Sequence, residues 1–314
     1  MLKYIGKRLL HLLIILVAVS FITFLLMYIS PGDPARKKLT SGGSIAVSEE
    51  LLEKTRREMG LDRPFLVQYG SWLSGVVKGD LGNSYKDGLP VSAKLSKGLG
   101  YTLTLSLSSL VLALAVSLPL SILTAVKKNT PADYIFRFLS FIGNSLPNFL
   151  ISVLLMYFLC VKARLLPVIA ENSFKGLLLP TLALAIPLSG RFLRQFRAEI
   201  LEQLGKSYVS GAVSRGVRSY YILVSNVLHN ALPGILTVIG LSVGTLLGGS
   251  VVIETIFRWP GLGKLVMDSI TARDYPVIQG FVLFAAVVYV LINLVTDLLH
   301  RKIDPRIARQ EGRV

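Results

Sequence analysis

The stretch Tyr208-Val-Ser-Gly-Ala-Val-Ser-Arg-Gly216 lies at the centre of a polar, basic region that extends from residue 191 to residue 230. Segments apolar and long enough to cross a bilayer flank this region on both sides. Ser207 is a favourable N-cap and Gly216 a favourable C-terminal stop, which predicts a short helix between them. A second helix is predicted from Ser219 toward Pro233. An exposed helix–glycine–helix unit of this kind can dock a soluble partner and carry force to spanning helices.

The composition of the chain is that of a membrane protein. Of its 314 residues, 52% are hydrophobic and 17% are charged, with a mean hydropathy of +0.61, whereas soluble domains carry about 25% charged residues. The net charge is +16. Because many of the basic residues flank the apolar runs, this charge indicates membrane topology rather than binding to nucleic acid. We therefore expect a lipid bilayer as the surroundings and no nucleic acid partner.

Six spanning helices are predicted, which makes the chain an all-α, multi-pass protein of the plasma or inner membrane with both termini in the cytosol. Their ranges are 9–30, 101–126, 134–160, 177–193, 231–253 and 281–299. The third is interrupted at residues 143–148, where Asn144, Ser145 and Asn148 serve either as interhelical hydrogen-bonding groups or as lining of a translocation pathway. Glu254, at the outer end of the fifth span, is either a pathway residue or a capping carboxylate.

Four segments follow from these spans. Residues 1–30 form an N-terminal transmembrane helix, and residues 31–100 form an extracytoplasmic segment with an amphipathic helix from Ser48 to Met59. Residues 101–300 form a transmembrane domain of five helices that contains the cytosolic loop 195–230. Residues 301–314 form a cytoplasmic tail.

Several separated motifs resemble permeases of the dipeptide/oligopeptide/nickel branch of type I ATP-binding-cassette importers. The series Gly60-Leu-Asp-Arg-Pro64, Gln68-Tyr69, Trp72-Leu73 and Gly79-Asp-Leu-Gly82 is similar to the extracytoplasmic segment of that family. Residues 257–263 and 272–280 resemble the signature before its last helix. Read locally, those two segments are turns that carry Trp259 and Tyr275 at the membrane interface.

Residues 208–216 resemble the coupling loop of these permeases. Ala212 falls on the family's small-residue position and Gly216 on its glycine, and Leu232-Pro233 stand at the expected closing position. Two departures are present: Ser210-Gly211 replaces the family's acidic residue, and the gap from glycine to proline is longer. The resemblance implies that Tyr208, Ala212, Arg215 and Gly216 couple the chain to an ATPase.

The resemblance covers the chain from Gly60 to Ile307 and implies a type I importer permease fold. It further implies a second homologous permease subunit, two ATPase subunits that bind the ATP, and an extracytoplasmic substrate-binding protein. Transport would proceed by alternating access, driven by ATP and transmitted through the coupling helix. No cofactor is expected in this subunit.

The sequence itself argues against other functions. It contains no Gly-x-x-x-x-Gly-Lys-Ser/Thr loop, so the chain is predicted to be no enzyme and to leave ATP hydrolysis to its partners. One cysteine and three scattered histidines predict no metal site. The predicted spans contain few charged residues, which is atypical of ion-driven transporters.

The substrate is the least constrained part of the prediction. Nickel or a nickel chelate is favoured, because residues 133–149, residues 254–260 and the ending from Asp304 look closer to nickel permeases. Import of dipeptides or oligopeptides is the alternative within the class. A membrane scaffold without transport activity is the alternative from another class.

Overall fold

The computed structural model describes residues 2–41, 47–167 and 173–303, which form thirteen helices. They are α1 (Leu2–Ile29), α2 (Pro34–Ser41), α3 (Glu49–Glu58), α4 (Phe65–Val77), α5 (Val91–Val126), α6 (Pro131–Ser145), α7 (Asn148–Leu155), α8 (Phe174–Leu204), α9 (Ser207–Ser214), α10 (Ser219–Tyr221), α11 (His229–Phe257), α12 (Leu262–Ala272) and α13 (Tyr275–Ile303). π-Helical segments extend α7 over Met156–Lys162 and join α10 to α11 over Ile222–Leu228. Within the described ranges the strand-like pairing is one bridge, between Asn83 and Pro90. The all-α prediction is confirmed.

Five helices are long and apolar enough to cross a membrane, and a bent pair makes a sixth candidate span. The five are His11–Ile29, Val91–Val126, Phe174–Leu204, Ser219–Leu246 and Tyr275–Ile292. The third predicted span, 134–160, is not one straight helix, because α6 and α7 meet at an angle of 103°. Leu146 is extended, with ψ 132°, as expected for a residue that precedes a proline. Six spans therefore require that the bent pair be counted as one.

The helices next to the predicted cytosolic loop are longer than expected. α8 continues to Leu204, and an unbroken helical run leads from Ser219 through the π-helical segment into α11. The region 195–230 is therefore mostly helical rather than a loop, and the predicted helix from Ser219 toward Pro233 is not separate from the fifth span. Phe192, Phe196 and Ile200 are fully buried at intervals of four residues, which explains why α8 extends beyond its apolar core.

The chain folds into two compact units. Unit 1 contains residues 1–102 and 260–291, and unit 2 contains residues 103–259 and 292–314. The last predicted segment, the tail 301–314, lies outside the described residues from Asp304 onward.

Unit 1 is built around a buried cluster of Val91, Leu95, Leu262 and Val277. Its α3 begins at Glu49, where the Ser48 hydroxyl accepts a hydrogen bond from the Leu51 backbone N–H at 3.3 Å. This confirms Ser48 as the N-cap of the amphipathic helix.

Aromatic rings join α1 to α4 within unit 1. Phe24 contacts Phe65 and Tyr69 edge-to-face, at centroid distances of 5.7 Å and 5.6 Å. Trp72 lies 5.8 Å from Phe24. Such pairs add to the free energy gained from burial alone, so the aromatic residues of the Gln68-Tyr69 and Trp72-Leu73 motifs pack against the first helix.

The loop 79–90 of unit 1 is attached to the start of α13 by Asp274, which is 1% exposed. The Ser84 hydroxyl donates to its carboxylate, and the Tyr85 backbone N–H donates to Oδ1 at 2.8 Å. Tyr275 and Trp259, predicted to be interfacial, are instead buried, at 8% and 3% exposure. Both rings are covered by the protein itself, so neither is exposed to lipid headgroups; their depth in the bilayer stays a prediction.

Candidate coupling site

The short helix α9 forms the centre of the candidate coupling site in unit 2. It ends in a Schellman motif, in which the Gly216 N–H bonds the Val213 carbonyl at 2.9 Å and the Val217 N–H bonds the Ala212 carbonyl at 3.2 Å. Gly216 adopts φ +76°, a conformation that glycine reaches without steric cost. Gly216 therefore stops the helix as predicted. The predicted N-cap is wrong, because Ser207 is already helical and Lys206 takes the cap position without a side-chain bond.

The two faces of α9 differ in exposure. Ala212 is 2% exposed, and α9 packs against the π-helical segment 222–228. The opposite side and the following turn carry exposed apolar residues, with side chains 40–69% exposed: Val213, Val217, Tyr220, Tyr221 and Val224. Lys206, Arg215 and Arg218 are exposed around them. An exposed apolar patch with a charged rim is typical of a protein–protein interface.

One hydrogen bond fastens the start of α9 to the end of α8. The Tyr208 hydroxyl donates to Gln203 Oε1 at 3.1 Å. The turn between the helices is tight, since the Gly205 N–H bonds the carbonyls of Leu201 and Glu202 at 3.2 Å. Tyr208 thus contacts α8 directly.

A buried ion pair connects α8 to α6. Arg197 holds the Asp133 carboxylate with both Nε and Nη2, at 2.9 Å and 2.7 Å. The Asp133 side chain is 0% exposed and the Arg197 side chain 14%. The Asn129 backbone N–H adds a third bond, to Asp133 Oδ2 at 3.1 Å. A two-pronged pair of this kind fixes both distance and orientation, and sequence reasoning missed it.

Two glycines lie where the long helices of unit 2 contact each other. A Cβ on Gly190 would lie 2.5 Å from the Ser140 carbonyl oxygen of α6, which is closer than van der Waals contact permits. A Cβ on Gly234 of α11 would lie 2.3 Å from the Glu199 carboxylate of α8. α8 is therefore in close contact with α6 on one side and with α11 on another.

The predicted pathway residues fall in two places. Asn144 and Ser145 end α6 and Asn148 begins α7, so these three lie at the 103° bend. The Asn148 carbonyl accepts a bond from the Ser152 hydroxyl at 2.9 Å. Glu254 is 0% exposed and lies in the last turns of α11. Their role as pathway lining stays a prediction.

Comparison with known proteins identifies the class. Residues 117–309 match the family of binding-protein-dependent transport system inner membrane components, and residues 1–106 match the N-terminal region of such membrane components. The chain is 36% identical over 307 residues to a glutathione transport system permease protein of Salmonella choleraesuis, covering 98% of this chain and 99% of the relative. It is 34% identical over 318 residues to a putative peptide permease protein of Brucella ovis, with the same coverage.

Solved structures agree at the level of the fold. The methionine ABC transporter MetNI in an inward-facing conformation has a TM-score of 0.56 at 19% identity, covering 67% of this chain and 96% of that chain. An amino acid ABC transporter crystallised with histidines has a TM-score of 0.57 at 18% sequence identity. The match covers 67% of this chain and 94% of that chain. The helical fold and the apolar spans thus define a multi-pass transport protein of the inner membrane. The chain belongs to the binding-protein-dependent inner membrane component family, and it is a permease subunit of the ATP-binding-cassette importer class that resembles dipeptide and oligopeptide permeases.

Proposed function

We propose that this permease imports short peptides, which an extracytoplasmic binding protein delivers and which cross by alternating access. The names of the full-length relatives, a glutathione permease and a putative peptide permease, support this substrate class. The nickel prediction depends on three short segments, whereas the relatives, at 34–36% identity over 98% of the chain, favour the peptide alternative. Peptide therefore replaces nickel as the substrate.

The exposed face of α9 is the single observation that carries the coupling part of the proposal. Val213 on α9 and Val217 just after its glycine stop are 59% and 40% exposed, whereas Ala212 on the other face of α9 is buried. Apolar residues exposed in this way gain free energy when a partner covers them. We assign this face to one ATPase subunit of a pair, and the other ATPase subunit of the pair lies under a second permease subunit.

The contacts of α9 supply a route for movement through unit 2. The Tyr208–Gln203 bond ties it to α8, and the Asp133–Arg197 pair ties α8 to α6. A displacement of α9 would therefore move α8 and α6 together. The ATPase can bias such a two-state change because its two nucleotide states contact α9 differently.

Charge supports a cytosolic position for this face. Lys206, Arg215 and Arg218 are exposed around α9, and Lys127 and Lys128 are exposed between α5 and α6. Basic residues concentrate on the cytosolic side of inner membrane proteins. Both ends of the chain are accordingly assigned to the cytosol.

Uptake by the complete transporter in proteoliposomes tests the substrate. We expect ATP-dependent uptake of a labelled dipeptide that unlabelled glutathione or tripeptide inhibits, with no uptake of radioactive nickel. Nickel uptake that excess dipeptide does not reduce would overturn the peptide assignment.

Two matched variants test the coupling face in the same proteoliposomes. Val213→Asp places a carboxylate on the exposed face of α9 and should abolish the stimulation of the ATPase by the loaded binding protein. Val77→Asp makes the same change at a side chain 81% exposed at the end of α4, and it should leave the stimulation unchanged. Normal stimulation with Val213→Asp would remove α9 from the mechanism.

A further inference from the structure

A cavity of about 610 Å3 lies within unit 1. Residues from the end of α1, from α3, from α4, from the loop 79–90 and from the start of α13 line it. Its volume falls in the range of pockets that bind small ligands, about 300–1,000 Å3. Five of the lining residues are aromatic: Phe24, Tyr28, Trp72, Tyr85 and Tyr275. The coupling helix α9 belongs to unit 2, so the cavity is not part of the coupling site.

Two hydrogen-bonding groups of the lining residues are buried and unsatisfied. Tyr275 is 8% exposed, and neither its hydroxyl nor the Trp72 indole N–H has a hydrogen-bond partner within the described residues. Buried polar groups in folded proteins nearly always have partners, because leaving one unpaired is costly. Both residues line the cavity, so an acceptor oxygen of a ligand that reached these two atoms from the cavity would satisfy them.

The neighbouring polar side chains are satisfied. The Tyr69 hydroxyl lies 2.9 Å from the Ser20 hydroxyl, although its ring is only 6.2 Å from that of Trp72. The Gln68 amide donates to the carbonyls of Leu61 and Arg63, at 3.2 Å and 2.7 Å. Within the described residues of unit 1, the unsatisfied buried side-chain groups are those of Trp72 and Tyr275, and both residues line the cavity.

The residues that line the cavity include an acidic and a basic side chain without ion-pair partners in the described part of the chain. Asp33 is neutralised by Arg56, whose Nη2 lies 2.6 Å from Oδ2. Glu58 and Arg63 are exposed, and neither has an ion-pair partner in the part of the chain that the structure describes. An amine and a carboxylate on one small ligand would complement them.

We propose that this cavity binds a short zwitterionic peptide. The Trp72 indole N–H and the Tyr275 hydroxyl donate hydrogen bonds to its carbonyl oxygens, and the aromatic residues contact its side chains. Glu58 pairs with its N-terminal ammonium group and Arg63 with its C-terminal carboxylate. The choice of peptide over other zwitterions rests on the proposed function. The site would give the permease a peptide-binding step of its own, outside unit 2.

Fluorescence of Trp72 reports binding directly. The chain has two tryptophans, so Trp259→Phe leaves Trp72 as the single tryptophan of this subunit. The complete transporter, with the tryptophans of its partner subunits replaced, is placed in nanodiscs and titrated with alanyl-leucyl-alanine. We expect a saturable change in emission, and about ten-fold weaker binding of the same tripeptide acetylated and amidated at its ends.

Tyr275→Phe separates a binding role from a structural one. The hydroxyl has no hydrogen-bond partner within the described residues, so its loss should weaken peptide binding about five-fold, the size expected for one hydrogen bond, and leave the thermal midpoint equal or higher. Tyr69→Phe is the matched control. It removes a bonded hydroxyl and should lower the midpoint without changing peptide affinity.

Three results would overturn the proposal: no emission change up to millimolar tripeptide, equal affinity in Tyr275→Phe, or a response to the unloaded binding protein but not to free peptide. Uptake measured in parallel separates this inference from the proposed function. Peptide uptake without a Trp72 response removes the cavity site alone. Saturable binding without peptide uptake supports the cavity site and removes the transport assignment.

Discussion

The Asp133–Arg197 pair offers the sharpest test of how unit 2 is held together. Arg197→Met removes the guanidinium and leaves the Asp133 carboxylate, which is 0% exposed, with the Asn129 backbone N–H at 3.1 Å. A buried charge deprived of its partner is strongly destabilising, by about 3–5 kcal/mol. Asp133 lies in the first turn of α6, where the helix dipole favours a negative charge by about 0.3–1 kcal/mol. We therefore expect a loss of about 3 kcal/mol in the free energy of unfolding.

The other variants complete a double-mutant cycle. Asp133→Leu leaves a guanidinium that is already 14% exposed and can turn toward polar surroundings, so it should cost less, about 1–2 kcal/mol. The double variant removes both charges, and such replacements are often neutral. The sum of the two single losses, about 4–5 kcal/mol, should therefore exceed the loss in the double variant by nearly that whole amount.

Unfolding of the purified permease in mixed micelles, titrated with sodium dodecyl sulfate and followed by circular dichroism, measures these differences. Lys206→Met is the control, because its partner Glu202 is 61% exposed and an exposed pair contributes about 0–1 kcal/mol. If Arg197→Met cost no more than Lys206→Met, the pair would not hold α6 to α8. If the losses in the two single variants were additive in the double variant, the two groups would not be coupled.

Three further changes follow from single observations. Gly216→Ala should reduce ATPase stimulation, since an alanine at φ +76° costs about 1–2 kcal/mol, and Gly216→Asn should reduce it less. Gly190→Ala should lower the free energy of unfolding by about 1–3 kcal/mol, because its Cβ would lie 2.5 Å from the Ser140 carbonyl oxygen. Gly248→Ala is the control and should not lower the free energy of unfolding, because the space around Gly248 is open. Burial raises the pKa of Tyr85 to about 12. In the unfolded chain the same hydroxyl loses its proton near pH 10, so the free energy of unfolding should fall between about pH 10 and 12. Tyr85→Phe should make that fall smaller.

Each of these predictions has a clear contrary result. Equal ATPase stimulation in the two Gly216 variants would mean that the helix stop does not depend on the left-handed conformation. Equal unfolding midpoints for the Gly190 and Gly248 variants would contradict the close approach of α8 and α6. Identical alkaline unfolding curves for the wild type and Tyr85→Phe would contradict the raised pKa.

The sequence predicts the fold class well, because long apolar runs have few alternatives to membrane helices. It predicts the helix ends less well. The basic residues around Arg194 suggest a loop, although the buried positions Phe192, Phe196 and Ile200 repeat every four residues and indicate a helix that continues past its apolar core. A count of charged residues along this segment hides the periodicity, because it adds the residues of the exposed face to those of the buried face.

Contacts between distant positions could not be predicted from one sequence. Asp133 and Arg197 are 64 residues apart, and either could have paired with another of the many charged residues nearby. The same holds for Tyr275, whose Tyr-Pro setting is typical of an interfacial turn, and which instead lines the cavity in unit 1. Which charge finds a partner, and which polar group is left without one, depends on the packing of whole helices.

The two connections of α9 differ in stiffness, and this difference decides how its movement spreads. From Gly190 to Leu204 α8 contains no proline, and its contacts there include the Asp133 ion pair and the buried phenylalanine face. On the other side, the run into α11 includes the π-helical segment Ile222–Leu228 and Pro233, which lacks the N–H of a regular helical bond. Bends in helices concentrate at such positions. We therefore expect a displacement of α9 to move α8 and α6 together as one rigid body. On the other side, the same displacement should bend the helix between residues 222 and 233, so that α11 moves less.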